Sequence, residues 1–104
     1  MEEHKLKSDK GPDVVITAEL LGTVDSEATK DERQGRWFVY QCYRTEKGTL
    51  VVHKQGHSIK ENERTRYEVI TASSDQELVS MVGHNDSAKE LYELCGIEYH
   101  KRIE

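Results

Sequence analysis

The feature that most constrains the fold is a single change of hydrophobic period near residue 73. Before it lie four short blocks rich in β-branched and aromatic residues. Within each block successive residues alternate between two faces, as in half-buried strands. After it, apolar residues recur at helical spacing. Strands first and helices after indicate an α+β domain. The sequence therefore predicts a four-stranded antiparallel β-meander followed by two C-terminal helices packed on one face.

The predicted elements have clear boundary signals. The four strands are expected at residues 13–22, 36–44, 49–54 and 66–72. Each helix should begin at a serine that has a glutamate three residues later, a capping box, and end at a glycine. The starts lie at Ser74 and Ser87, and the ends at Gly83 and Gly96.

The chain of 104 residues has room for one core only. Residues 1–12 are predicted to be a flexible N-terminal tail, and residues 13–104 a single domain. The apolar positions of the predicted elements define an expected core: Val14, Ile16, Leu20, Phe38, Tyr40, Cys42, Leu50, Val52, Val69, Leu78, Val82, Leu91 and Leu94.

The charge is distributed unevenly along the chain. The net charge is −5, but residues 30–67 hold nine Lys and Arg against five acids. No apolar run is long enough to cross a bilayer, and the first residues lack the apolar stretch of a secretory signal. Two cysteines without a CxxC motif fit a buried, reduced pair. A cytoplasmic protein with no membrane partner is expected.

The basic middle segment contains the predicted binding site. In an up-and-down meander the connections alternate between the ends of the sheet, so the long connections 22–35 and 55–65 should lie at the same end. The binding residues predicted there are Arg33, Arg36, His57, Lys60, Arg64 and Arg66. Such a basic end could steer an anionic partner.

Two histidines in this segment raise the question of chemistry. His53 and His57 have a spacing seen in zinc sites, where a cysteine pair or a carboxylate completes the ligand set, but the only further candidates here are Cys42 and Glu61. We therefore predict no metal and no cofactor. As acid–base residues His53, His57 and Arg66 are weak candidates only, because the sequence does not bring any two of them together. No catalytic residue is assigned.

Two functions remain open from the sequence. The first is a non-enzymatic interaction or regulatory domain that binds another protein, or a second copy of itself, through an exposed sheet face or edge. The alternative is an RNA-binding protein, or a metal-independent RNase-like protein, that uses the basic segment 30–67. No dinucleotide-binding, P-loop or nucleophile-elbow motif is present.

Overall fold

Five antiparallel strands in chain order form one sheet, and two helices follow it. The computed structural model describes residues 1–25, 35–58 and 64–100. The elements are β1 (Glu2–Leu6), β2 (Val14–Asp25), β3 (Arg36–Thr45), β4 (Leu50–Ser58), β5 (Arg66–Ala72), α1 (Asp75–Val82) and α2 (Asp86–Cys95). The predicted α+β fold, an antiparallel sheet with two C-terminal helices, is confirmed.

The predicted strand count of four is wrong, because residues 2–6 form a strand in the segment expected to be a tail. β1 pairs with β2 from Leu6 opposite Val14 to Glu2 opposite Ala18. The sequence of β1, EEHKL, has one apolar residue and almost no alternation, so it gives little strand signal by itself. Pairing with β2 and burial of Leu6 supply what the local sequence lacks.

A β-bulge in β2 reverses which of its residues face the helices. The register with β3 shifts between Leu20 and Gly22. Before the bulge, even-numbered residues share a face with Tyr43, which lies opposite Leu20; after it, Val24 lies opposite Tyr40 on the other face. One extra residue in a strand inverts the alternation that follows it. Val24 is therefore buried, whereas Leu20 is 44% exposed.

Both helices pack on one face of the sheet and form the main core. Its sheet residues come from alternate positions of the strands, including Tyr40, Cys42, Leu50, Val52 and Ile70. Its helix residues are Leu78, Val79, Ala88, Leu91, Tyr92 and Cys95, followed by Ile97 beyond α2. None of the helices in the described residues has the length and hydrophobicity needed to span a membrane.

The helix boundaries follow the capping signals, with one correction. Ser74 caps α1 by accepting the N–H of Glu77, as predicted. α2 is capped by Asn85, which accepts the N–H of Ala88 at 2.8 Å, so the predicted start at Ser87 is two residues late. Asparagine is as good an N-cap as serine, and here it comes first in the chain. Both helices end at the predicted glycines.

A second, smaller cluster lies on the opposite face of the sheet. It consists of Leu6, Ala18, Tyr43 and Val51, with Val14, Ile16 and Val69 against it. β4 is consequently buried on both faces over four consecutive residues, 50–53. The strand that was not expected, β1, supplies part of this cover.

The predicted core is right in the centre and wrong at its margins. Tyr40, Cys42, Leu50, Val52, Leu78 and Leu91 are buried as expected. Leu20, Phe38 and Leu94 are 44%, 43% and 57% exposed and do not belong to the core. Val14, Ile16, Val69 and Val82 are partly buried and pack against the two clusters.

Candidate functional site

Four strands begin or end at the same end of the sheet. β2 ends at Asp25, β3 begins at Arg36, β4 ends at Ser58 and β5 begins at Arg66. The registers place Arg36 opposite Ser58, and Arg66 opposite Gly56. We call this the loop end and define it by residues 36–38, 54–58 and 64–67. The shared end expected for the two long connections follows from this pairing, although 26–34 and 59–63 lie outside the described residues.

Trp37 and His57 form a stacked pair at the loop end. They are directly opposed in the β3–β4 ladder. Their ring centroids are 5.3 Å apart and their planes differ by 16°. The His57 ring is held further by its Nε2, which donates to Gln55 Oε1 at 3.1 Å. Both side chains are only partly buried, so the pair presents a flat aromatic surface at the sheet end.

Phe38 occupies the other sheet face at the same end, opposite Gly56. A Cβ on Gly56 would lie 3.4 Å from the Phe38 ring, so the ring packs against the strand at a position without a side chain. An aromatic residue covering a strand glycine in this way restores the packing that the glycine lacks. Phe38 is 43% exposed, and Lys54 Nζ lies 4.8 Å from its ring centroid.

Asp9 connects the segment after β1 to the first residues of β5. Its backbone N–H donates to Tyr67 O at 3.0 Å, and its Oδ2 accepts the N–H of Tyr67 at 2.9 Å. Its Oδ1 lies 4.0 Å from Arg64, whose side chain is 80% exposed. An ion pair this long and this solvated adds little stability. Arg64 can therefore exchange its contact with Asp9 for an anionic ligand at little cost in free energy.

His53 has a structural role in the sheet. It is 5% exposed, its Nε2 donates to Lys7 O at 2.9 Å, and its ring stacks on Tyr67. His57 lies four positions further along the extended strand, a span of about 13 Å. The two imidazoles therefore do not converge on one atom. Within the described residues no group of three His, Cys, Asp or Glu could hold a metal ion.

Three of the six predicted binding residues come together at the loop end. His57, Arg64 and Arg66 line a depression of about 130 Å³, together with Trp37, Phe38, Gly56 and Ser58. Arg36 begins β3, and its side chain is not described; Arg33 and Lys60 lie outside the described residues. Of the weak catalytic candidates, His57 and Arg66 line this depression, and His53 does not.

A larger depression of about 350 Å³ adjoins the first and adds cations to it. The two share Phe38, Gly56, Arg64 and Arg66. The second also has Lys10 and Lys54, with Asp9 and Glu68 as the acidic members of its lining. Lys54 is not among the binding residues predicted from the sequence, and Phe38 was expected in the core. The sequence signal that could have indicated an aromatic binding surface was the interleaving of Arg36 and Arg44 with the aromatic residues of β3.

The two cysteines lie in the main core, away from the loop end. Both are free and buried. A hydrogen bond to the Cys95 thiol, together with burial, raises the pKa of Cys42 far above its ordinary value. A thiol that stays protonated is a poor nucleophile. The Cys42 thiol therefore contributes to packing, whereas the same hydrogen bond lowers the pKa of the buried Cys95 thiol.

Comparison with known proteins gives no functional assignment. No family model, curated protein or solved structure matches the chain.

Proposed function

We propose that the protein binds single-stranded nucleic acid at the loop end. The observation that carries the proposal is that two partly exposed aromatic residues, one on each face of the sheet end, line one depression together with two exposed arginines. Trp37 and Phe38 would stack on bases, and Arg64 and Arg66 would contact phosphates. Binding of single strands without a strict sequence code needs this combination of stacking platforms and a positive surface.

The aromatic side chains support base stacking because they are held in place. The Trp37 ring is held by stacking on His57, and the Phe38 ring by packing against the β4 backbone at Gly56. A ring that is already oriented loses little conformational entropy when a base stacks on it. Each base–aromatic stack contributes about 1–3 kcal/mol.

The distribution of charged side chains indicates where an anionic ligand would approach the protein. Lys10, Lys54, Arg64 and Arg66 line the adjoining depressions, against two carboxylates. Exposed acids such as Glu77, Glu90 and Glu93 lie on the two helices and do not line these depressions. Although the net charge is −5, the asymmetry would guide a polyanion to the loop end rather than to the helices.

The same observations give less support to cleavage of RNA. A metal-independent nuclease needs two groups that exchange protons close to one phosphate. His53 is committed to Lys7 O and lies about 13 Å along the strand from His57. The arrangement of the two histidines therefore favours binding without cleavage.

Fluorescence anisotropy with labelled single-stranded RNA and DNA of about 12 nucleotides tests the proposal. Trp37 is the single tryptophan of the chain, so quenching of its emission reports stacking at the loop end directly. We expect Phe38→Ala to raise the dissociation constant about 5- to 100-fold. We expect Arg66→Ala to weaken binding and to make its salt dependence shallower, by about 0.7 in the logarithmic slope.

Matched controls lie elsewhere on the surface. Met81→Ala removes an exposed apolar side chain from α1, and Lys47→Ala removes an exposed cation from the turn at the opposite end of the sheet. Both should leave the affinity unchanged. Absence of binding at low salt, or equal affinities for Phe38→Ala and the controls, would refute the proposal. Gel analysis of the RNA after incubation tests the nuclease alternative in the same samples.

A further inference from the structure

We propose that the outer edge of β1 pairs with the same edge of a second copy of this chain, giving a two-fold dimer with one continuous ten-stranded sheet. The proposal concerns the opposite edge of the sheet from β5 and does not depend on nucleic-acid binding. It rests on two observations: this edge is open in the described residues, and its charges are self-complementary.

The two edges of the sheet differ in how they are covered. At β5 the backbone of Tyr67 is bonded to Asp9 through both its N–H and its carbonyl. β1 is the terminal strand on the other side, and within the described ranges no strand lies beyond it. Its residues 2, 3 and 5 are exposed. The outward N–H and C=O groups of such a strand are a template for a further strand.

The sequence EEHKL is complementary to itself in one antiparallel register. With His4 opposite His4 of the second copy, Glu3 faces Lys5 and Lys5 faces Glu3, so two opposite-charge pairs form across the interface. Directly opposed residues in an antiparallel ladder have Cβ atoms about 5 Å apart, and opposite charges there favour the register that pairs them. Both pairs lie on one face of the combined sheet.

Neighbouring registers are disfavoured by the same charges. A shift of two residues in one direction brings Glu3 against Glu3, and a shift in the other brings Lys5 against Lys5. A shift of one residue would move the side chains of one copy to the opposite face of the combined sheet. Charged residues on an edge commonly prevent pairing. Here their order favours the alignment with His4 opposite His4.

The residue at the two-fold axis is already positioned away from the interface. His4 Nε2 donates to Ala18 O within the same chain at 3.2 Å, and the ring lies 4.6 Å from that of Tyr43. Each imidazole is therefore held over its own sheet, which leaves the edge backbone accessible to the second copy.

Charge reversal provides the test. Glu3→Lys places two lysines opposite each other in both cross-strand pairs, and Lys5→Glu places two glutamates there. Each single variant should therefore raise the dimer dissociation constant at least about tenfold. The double variant restores opposite charges and should associate like the wild type. Mixing the two single variants pairs opposite charges at both positions, so the mixture should form heterodimers. Sedimentation equilibrium and native mass spectrometry measure these populations.

Variants with the same charge change elsewhere are the controls. Glu46→Lys and Lys47→Glu lie in the exposed turn between β3 and β4 and should dimerise like the wild type. Circular dichroism confirms that every variant is folded. A wild-type protein that stays monomeric at about 1 mM overturns the proposal. So does a dimer that both single variants keep at wild-type strength, because it would use another surface. Nucleic-acid binding should survive both β1 variants.

Discussion

Trp37 lies nearly parallel to His57 across the β3–β4 ladder, with ring centroids 5.3 Å apart. The pair joins the first residues of one strand to the last residues of the next at the loop end. An aromatic cross-strand pair of this kind contributes roughly 0.2–1 kcal/mol to stability. It also fixes the orientation of the ring that is proposed to stack on a base.

Replacement of His57 tests this contact. His57→Ala should lower the free energy of unfolding by up to about 1 kcal/mol relative to His57→Phe, which keeps a ring opposite Trp37. Both variants lose the hydrogen bond to Gln55, so their difference isolates the stack. Urea unfolding followed by Trp37 emission measures it. Equal stabilities of the two variants would show that the stack does not stabilise the fold.

Gly22 is predicted to tolerate no side chain. A Cβ at this position would lie 2.9 Å from Cys95 Sγ and 3.3 Å from Leu94 Cβ. Because α2 packs directly on this part of β2, Gly22→Ala should destabilise the protein by about 1–3 kcal/mol. Gly11→Ala is the control, since nothing lies within 4 Å of its Cβ position. Similar thermal unfolding of the two variants would contradict close packing of α2 on the bulge.

Asp9 is expected to stabilise the first residues of β5. Asp9→Ala removes the acceptor for the Tyr67 N–H, and we expect a loss of about 1 kcal/mol. Asp9→Asn keeps an acceptor and should cost less. Arg64→Ala should change stability by less than about 0.5 kcal/mol, because its ion pair with Asp9 is long and solvated. Chemical denaturation of the three variants compares these contributions, and a larger loss for Arg64→Ala than for Asp9→Ala would reverse the assignment.

Tyr92 should make stability fall at high pH. Burial of its hydroxyl, with smaller effects of Tyr40 and Cys42, raises its pKa from the ordinary value of 10 to about 12. The unfolded chain therefore loses this proton before the folded protein does. The stabilisation is complete below pH 10 and is lost as the pH rises towards 12, by about 2–3 kcal/mol.

Tyr92→Phe isolates this contribution. The variant cannot ionise, and it also loses the hydrogen bond from Tyr92 Oη to Gly83 O. It should be about 1 kcal/mol less stable near neutral pH and lose less stability between pH 10 and about 12. Urea midpoints measured across this range provide the comparison. A parallel decline for the two proteins would remove Tyr92 as the cause.

Local signals predicted the elements with strong patterns. β3, β4 and β5 have dense β-branched and aromatic blocks, and Ser74 satisfies an N–H at the start of α1 as expected. β1 escaped prediction because EEHKL has one apolar residue and forms a strand only through its pairing with β2. The connectivity of a meander was sufficient to place His57, Arg64 and Arg66 at one end of the sheet.

The extent of helix cover decided which residues of a single face are buried. Phe38 and Tyr40 both lie on the helix-covered face, yet Tyr40 is buried and Phe38 is 43% exposed. The ten residues of β3 span roughly 33 Å, whereas the ten of α2 span about 15 Å. The helices therefore leave one end of this face uncovered, and an aromatic residue expected in the core becomes part of the candidate site.

The sequence by itself determined the fold class, four of the strands, the start of α1, the glycines that end both helices and the basic segment, because these depend on periodicity and capping between near neighbours. Only the tertiary structure decided the fifth strand, the reversal of faces at the bulge after Leu20, and the exposure of Phe38. Each of these depends on pairing or packing between different elements, and no periodicity within one element encodes where such contacts begin and end.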